Sequence, residues 1–391
     1  MSNRANFLAH VAQTSPAPMG LEIAGGQGVY LEDTAGKRYL DLIAGIGVSC
    51  LGHNHPAVVK AVRDQAGRYM HTLVYGEFVL APQAELAALV TSRLPEGLNS
   101  VYFVSSGTEA TEGAMKLAKR ATGRPEIISA KRAYHGSTQG AASLQWPKDF
   151  TQAFYPLLPG IGHLDFNCDH CLHRITERTA AVVLETVQAE WGIRKPRPEW
   201  LRAVRRRCDK TGTLLILDEI QAGMGRTGTL FAFEQYGVVP DVLLLAKGFG
   251  GGMPLGAFVA SKKVTELFTD DPVLGHITTF GGHPVSCAAG LATLRALLDQ
   301  PELIADVKSK EALFHELLVH PKIRQVRSAG LWMAVELDDF DQVRDTIAGC
   351  LERGLITDWF LWNERSLRIA PPLIISEAEI REACAIILAC L

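Results

Sequence analysis

Two short segments in which every residue is apolar constrain the fold of this chain most: Leu214-Leu215-Ile216-Leu217 and Val242-Leu243-Leu244-Leu245. A strand with no polar position is buried on both faces, which is the usual state in a parallel sheet covered by helices on each side. Both segments run into charge. Asp218 ends the first, and the second continues through Ala246 to Lys247 and then into the glycine-rich stretch Gly248 to Gly256. The carboxyl ends of strands in an open α/β sheet face the ligand crevice, so these two ionisable groups are expected where chemistry takes place.

The surrounding pattern alternates short apolar strands with helices, which predicts α/β architecture with a mainly parallel sheet. Strands are expected at Val101–Val104, Ile127–Ser129, Ala181–Leu184, Leu214–Leu217, Val242–Leu245 and Gly256–Ala260. A helix is expected from Thr108 to Ala121, with Ala110, Ala114, Leu117, Ala118 and Ala121 on one stripe, and another from Trp200 to Lys210. From Pro284 the pattern changes to a long helix through Leu298, a second from Ile304 to Val319, and looser alternation to Leu391. Near the start, Gly28 to Leu42 alternates around Thr34-Ala35-Gly36-Lys37 and reads as a β-hairpin. The expected division is therefore a large domain over 51–283 and a smaller α+β domain built from both chain ends, 1–50 and 284–391.

Composition narrows the partners. Of 391 residues, 47% are hydrophobic and 21% charged, and the net charge of −3 gives no reason to expect nucleic acid or an anionic membrane as partner. No apolar run of membrane-spanning length and no signal-like N-terminus is present, which gives a cytoplasmic expectation. The eight cysteines are scattered and read as reduced thiols rather than a disulfide framework. Cys168-Asp169-His170-Cys171 has C-x2-C spacing but lacks the second ligand pair of a zinc ribbon or finger, so no metal is expected.

Lys247 and Asp218 together suggest pyridoxal 5′-phosphate. That cofactor needs a lysine to hold its aldehyde as a Schiff base, and an acid to keep the pyridine nitrogen protonated so that the ring accepts electrons. Its phosphate needs an anion cradle. Ser105-Ser106-Gly107-Thr108-Glu109 follows one expected strand and opens a helix, placing hydroxyls and free N–H groups at a positive helix terminus. Tyr134-His135-Gly136-Ser137 follows another strand and offers a ring that could stack on a pyridine face. In Asp218-Glu219-Ile220-Gln221, Gln221 is a neutral hydrogen-bonding partner for a ring hydroxyl.

These motifs, in this order, resemble the class III pyridoxal-phosphate aminotransferases, the family of the ornithine, acetylornithine, 4-aminobutyrate and other ω-amino acid enzymes. The resemblance runs from the Gly28-to-Asp41 hairpin to Arg368. It implies fold type I, a homodimer with active sites at the subunit boundary, and ping-pong transfer of an amino group from a small-molecule donor to a 2-oxo acid through pyridoxamine phosphate. By that resemblance Lys247 carries the Schiff base and shuttles a proton, Glu185 belongs to the cofactor site, and Thr279 reaches the phosphate of the neighbouring subunit. Glu185-Thr186-Val187-Gln188-Ala189-Glu190 is similar to the family's Glu-Pro-Ile-Gln-Gly-Glu stretch. The resemblance further implies that Glu190 pairs with Arg368 and releases it when a dicarboxylic oxo acid arrives.

One departure bears on the substrate. Ornithine-type members carry a carboxylate-clamping arginine where this chain has Ser137. The substrate set is therefore expected to include Glu190, Arg368, Ser137, Thr278, Trp191 and Tyr75, with Trp146 and Glu77 as further shapers of the pocket, and either 2-oxoglutarate or pyruvate as acceptor. A decarboxylase, aminomutase or racemase on the same scaffold, and more remotely a non-catalytic cofactor-binding protein, are the alternatives.

Overall fold

The computed structural model describes residues 2–391. Near the N-terminus, β1 (Ile23–Gln27), β2 (Tyr30–Asp33) and β3 (Arg38–Asp41) form an antiparallel meander, with the expected hairpin between β2 and β3. The larger sheet follows: β4 (Ser100–Val104), β5 (Glu126–Ala130), β6 (Ile161–Leu164), β7 (Thr179–Glu185), β8 (Leu214–Asp218), β9 (Val242–Leu245) and β10 (Gly256–Ala260). Its spatial order is β4-β10-β9-β8-β7-β5-β6, parallel except for β10, which runs antiparallel to both neighbours. All six expected strands are present. β6 was not expected, because Ile161-Gly162-His163-Leu164 lacks a continuous apolar run and its strand character comes from pairing with β5.

Side-chain alternation divides the buried strands between two cores. Leu215, Leu217, Leu243 and Leu245 enter a core with Trp200, Leu201, Val204 and Cys208 of the helix Pro198–Thr211. Ile216, Val242 and Leu244 enter the opposite core, with Ala110, Ala114, Leu117 and Ala118 of the helix Gly107–Thr122. Alanine at three of those four helix positions lets the helix backbone lie close to the sheet. Burying each leucine stabilises the fold by roughly 1.5–3 kcal/mol.

The C-terminal part holds β11 (Gln325–Ser328), β12 (Met333–Glu336), β13 (Leu355–Ile356), β14 (Asp358–Phe360) and β15 (Asn363–Ile369). Strands β11-β12-β15-β14 form an antiparallel sheet, while β13 pairs in parallel with β3 and so extends the N-terminal sheet. Thr357 alone separates the two sheets, and its hydroxyl donates to the carbonyl of Arg368 at 2.7 Å. The expected helix at Ile304–Val319 is two pieces, Glu302–Ala305 and Val307–Leu317. Cys168 and Cys171 are joined as a disulfide, which corrects the expectation that all eight thiols are reduced; the other six cysteines are free. The C-x2-C spacing puts the two Cα atoms 5.4 Å apart, well within bridging distance. Among the described residues, no helix is long and apolar enough to cross a membrane.

Candidate active site

The period of two that fills the cores also aims the functional groups. Glu185 shares a face with Ala181 and Val183, and Asp218 with Ile216, on the side covered by the helix Gly107–Thr122. In the β7–β8 register Glu185 stands directly beside Asp218. Lys247 lies just past the end of β9, with φ +51, an uncommon backbone conformation for a non-glycine residue and one concentrated at functional sites. These strand ends and the start of the helix surround a cavity of about 530 Å³. It is lined by Ser106, Gly107, Thr108, Tyr134, His135, Ser137, Glu185, Asp218, Gln221 and Lys247, with Val48, Met253 and Pro254 entering from neighbouring loops.

The helix start is capped by side chains on both sides. Ser106 caps it by accepting from the Glu109 N–H at 3.3 Å, and the Glu109 carboxylate accepts from the Ser105 N–H at 2.7 Å. The first-turn N–H groups of Gly107 and Thr108 have no partner within the helix, which is the arrangement that favours a phosphate. A Cβ at Gly107 would lie 2.8 Å from Ile220 Cδ1, so the absent side chain lets the helix start approach the segment after β8. Gly136 closes the cradle from the other side with φ +129, and a Cβ there would lie 2.3 Å from Thr108 Oγ1.

Asp218 is held by two contacts. Its Oδ2 is 2.7 Å from Nδ1 of the buried His135, and its Oδ1 accepts from the Ile220 N–H at 2.9 Å. Burial alone would lower the His135 pKa, but the hydrogen bond to Asp218 and that carboxylate's charge outweigh it and raise the value. Glu185 accepts from the N–H groups of Tyr134 and Ala189 at 3.0 and 2.9 Å, fixing the loops on either side; burial pushes its pKa up to about 8, against the opposing charge of His135. Burial also brings Lys247 down to about 8, partly countered by Glu190 and Asp218. A lysine near 8 supplies neutral amine at working pH, as an aldehyde-binding nucleophile requires.

The residues fit pyridoxal phosphate. A helix terminus suits its phosphate, a fixed carboxylate suits its ring nitrogen, and a lysine with depressed pKa suits its aldehyde, all in a cavity of ordinary small-molecule size.

The other expected residues are divided between this cavity, its surroundings and a second cavity. Arg368 on β15 is buried and donates from Nη1 and Nη2 to Glu190 Oε1 and Oε2 at 2.9 and 3.0 Å. Burial would raise the Glu190 pKa, but Arg368 overrides it and holds the carboxyl below its usual range. Trp191 has Arg132 and Arg194 over its ring, 4.8 and 5.0 Å from the centroid. Tyr75 and Thr278 line a separate cavity of about 370 Å³. Thr279 is exposed. Ser137 lines the main cavity, where its hydroxyl pairs with the Tyr134 hydroxyl at 2.9 Å. One pairing between two expected cofactor residues, and one further residue, were not anticipated. The His135–Asp218 pair joins residues 83 positions apart. Asp358, whose Oδ1 is 2.9 Å from Arg368 Nε, belongs to a hairpin with no apolar alternation to announce it.

Comparison with known proteins gives the family. The family model for class-III aminotransferases matches residues 11–391. An acetylornithine aminotransferase of Methanopyrus kandleri is 42% identical, over 92% of this chain and 91% of its own length. The LysW-aminoadipate semialdehyde transaminase of Deinococcus radiodurans is 41% identical, over 80% and 73%. Among solved structures, the ornithine aminotransferase of Toxoplasma gondii superposes with a TM-score of 0.91 at 29% identity, covering 99% of this chain and 92% of that one. An (S)-enantioselective ω-transaminase from Thermomicrobium roseum gives 0.90 at 31% identity, covering 98% and 97%. With a matching family over nearly its whole length, the fold of those enzymes and a site suited to pyridoxal phosphate, this chain belongs to the class III aminotransferases.

Proposed function

We propose that this aminotransferase takes the terminal amino group of an ω-amino acid or primary amine and passes it to a 2-oxo acid, in two half-reactions at one site. The observation that carries the donor class is the cavity lining: Lys247 is its one lysine or arginine among the described residues, and Ser137 stands where a carboxylate clamp would be. A donor carboxylate at the Ser137 end of the cavity would find no cation to pair with, while Arg368, near enough for its charge to act on Lys247, remains for the carboxylate of the 2-oxo acid. A donor with a terminal amine needs none. The relatives named for acetylornithine and for an aminoadipate semialdehyde are compatible with this, since a semialdehyde carries its carbonyl at the chain end.

Each residue has a defined task. Bound pyridoxal phosphate supplies a reactive aldehyde and an electron-accepting ring. The N–H groups at Gly107 and Thr108, with Ser106, hold the phosphate. Asp218, oriented by His135, keeps the proton on the ring nitrogen. Tyr134 covers a ring face, and Gln221 offers a neutral hydrogen bond to the ring hydroxyl. Glu185 holds the Tyr134 and Ala189 loops in place around them. Lys247 Nζ would hold the aldehyde and, when free, would move a proton at the donor carbon.

A homodimer with shared sites completes the proposal, with Thr279 as the residue offered to the neighbouring subunit's phosphate and Thr278 and Tyr75 close to it. Exposed apolar residues support it: Val79 is 96% exposed, Phe280 55% and Phe78 54%. Exposed apolar clusters of this kind mark surfaces that a partner covers. The division into 51–283 and a smaller domain from 1–50 and 284–391 is likewise proposed, supported by the pairing of β13 with β3.

The deciding experiment adds 4-aminobutyrate, β-alanine, lysine, ornithine, putrescine or 1-phenylethylamine to the holoenzyme without acceptor. A terminal-amine donor should remove the cofactor's resting absorbance, and pyruvate or 2-oxoglutarate should restore it. If no donor in such a panel changes the spectrum, or if carbon dioxide is released without any oxo acid, the proposal fails.

A further inference from the structure

Outside the cavity, the chain turns after β6 at Asn167, which takes φ +64, a conformation asparagine tolerates better than most residues. It then enters a short 3₁₀ helix, His170–Arg174. The Leu172 N–H donates to the Asp169 carbonyl at 3.2 Å, and the turn so closed sets the Cys168 and Cys171 Cα atoms 5.4 Å apart. The C-x2-C spacing lacks a second ligand pair along the sequence, but His170 supplies a third donor. Both of its ring nitrogens are 3.5 Å from Cys168 Sγ, and one donor atom from each of Cys168, His170 and Cys171 lies within 4.8 Å of the others. Zinc bonds of about 2.3 Å to sulfur and about 2.0 Å to nitrogen place tetrahedral S and N ligands about 3.5 Å apart, so the cluster has the dimensions of a metal site.

The surroundings hold this turn in place. Trp200 Nε1, from the buried face of the helix Pro198–Thr211, donates to the Cys168 carbonyl at 3.2 Å. Arg197 donates from its backbone N–H to Asn167 Oδ1 at 2.7 Å and from Nη2 to the Asn167 carbonyl at 2.9 Å. The same guanidinium takes the Asp169 carboxylate, and His173 Nδ1 is turned to the His170 carbonyl at 2.5 Å, so neither of these side chains joins the cluster. Two thiolates and a neutral imidazole around a divalent cation carry no net charge. Cys171 is buried, Cys168 half-buried and His170 exposed, which leaves one open side for an ion or a reductant.

We propose that Cys168, Cys171 and His170 form a redox-gated site for a thiophilic divalent cation of the zinc class, closed by the disulfide and opened by its reduction. A dithiol reductant attacks the half-buried Cys168 Sγ as a thiolate, the S–S bond breaks and Cys171 leaves as a thiolate. The second thiol of the reductant then displaces Cys168, so two electrons pass to the cysteines and the reductant ends as its own disulfide. Metal binding releases the remaining thiol protons: both sulfurs ligate as thiolates, one imidazole nitrogen joins them, and water fills the fourth position. Lys247 and its cavity take no part.

The test uses holoenzyme, either oxidised or reduced with dithiothreitol and desalted without oxygen, then dialysed against Zn²⁺. Elemental analysis should find about one zinc ion per chain in the reduced protein and none in the oxidised protein. Alkylation mapped by mass spectrometry should show that zinc protects Cys168 and Cys171, and Co²⁺ in place of zinc should give thiolate-to-metal absorbance. Cys168→Ser should abolish uptake. His170→Asn should weaken it by about 100-fold, the upper end of what losing even an outer-shell partner costs. His173→Ala should leave it unchanged. If Cys168→Ser does not fold, His170→Asn, at an exposed position, is read in its place. No zinc on the reduced protein, equal uptake by both redox forms, zinc retained in Cys168→Ser, protection confined to the free Cys390, or unchanged affinity in His170→Asn would each overturn the inference, and none of these bears on amino transfer.

Discussion

His135 Nδ1 lies 2.7 Å from Asp218 Oδ2, and both side chains are buried. With the Ile220 N–H on the other oxygen, the Asp218 carboxylate is held at both oxygens, and in the proposed function it would face a ring nitrogen. Replacing it by Asn keeps the shape and removes the charge. Asp218→Asn should lower kcat by about 10²-fold, the usual cost of losing one preorganised electrostatic partner. Cofactor should still bind, because the phosphate cradle is untouched. Steady-state kinetics with the absorbance of bound cofactor check both halves, and wild-type turnover in the variant would show that Asp218 does not serve the ring.

Lys247 should titrate at an unusual pH. Burial depresses its pKa to about 8 from the ordinary 10.5, so the neutral, reactive amine accumulates as pH rises through 8. Cofactor-free protein should therefore capture pyridoxal phosphate faster as pH rises to that point and level off above it. A rate still climbing toward pH 10 would mean that an ordinary lysine is responding. Lys247→Ala should abolish turnover, and a fully active variant would move the chemistry to another residue.

Gly136→Ala tests the cradle. The backbone there has φ +129, and the added Cβ would meet Thr108 Oγ1 at 2.3 Å. Strain and overpacking should cost about 1–3 kcal/mol. The collision falls on the helix start, so weaker cofactor binding should accompany a lower Tm. Equilibrium titration and thermal unfolding measure the two, and unaltered cofactor affinity would contradict the assignment of Thr108 to the phosphate site.

The exposed strip at Phe78, Val79 and Phe280 should be covered in solution. Sedimentation of the wild-type protein should give twice the 42.5 kDa chain mass. Val79→Asp should shift it toward the monomer, with activity falling in parallel as protein is diluted. A monomeric, fully active wild-type protein would remove the role given to Thr279.

The placement of the charged groups at the strand ends follows from local rules. An apolar strand with a period of two fixes the face on which its last residue emerges, so Asp218 falls on the face of Ile216 and Glu185 on the face of Val183. Ser106 and Gly107 announce a helix start by capping alone. The tie between Glu190 and Arg368, 178 positions apart, came only through resemblance to a family. Tyr75 and Thr278 were expected at the substrate and line a different cavity from Lys247, because a local pattern does not say which cavity a distant segment will line.

The sequence by itself therefore determined the buried parallel strands, the lysine and aspartate at their ends and the capped helix start, since each depends on neighbours within a few residues. Tertiary structure alone decided what those groups meet. His135 reaches Asp218 because one loop folds over the end of β8. Asp358 reaches Arg368 because a hairpin, irregular between Trp359 and Phe360, sets its register. A shift of one residue would turn Asp358 to the opposite face and leave Arg368 to Glu190 alone.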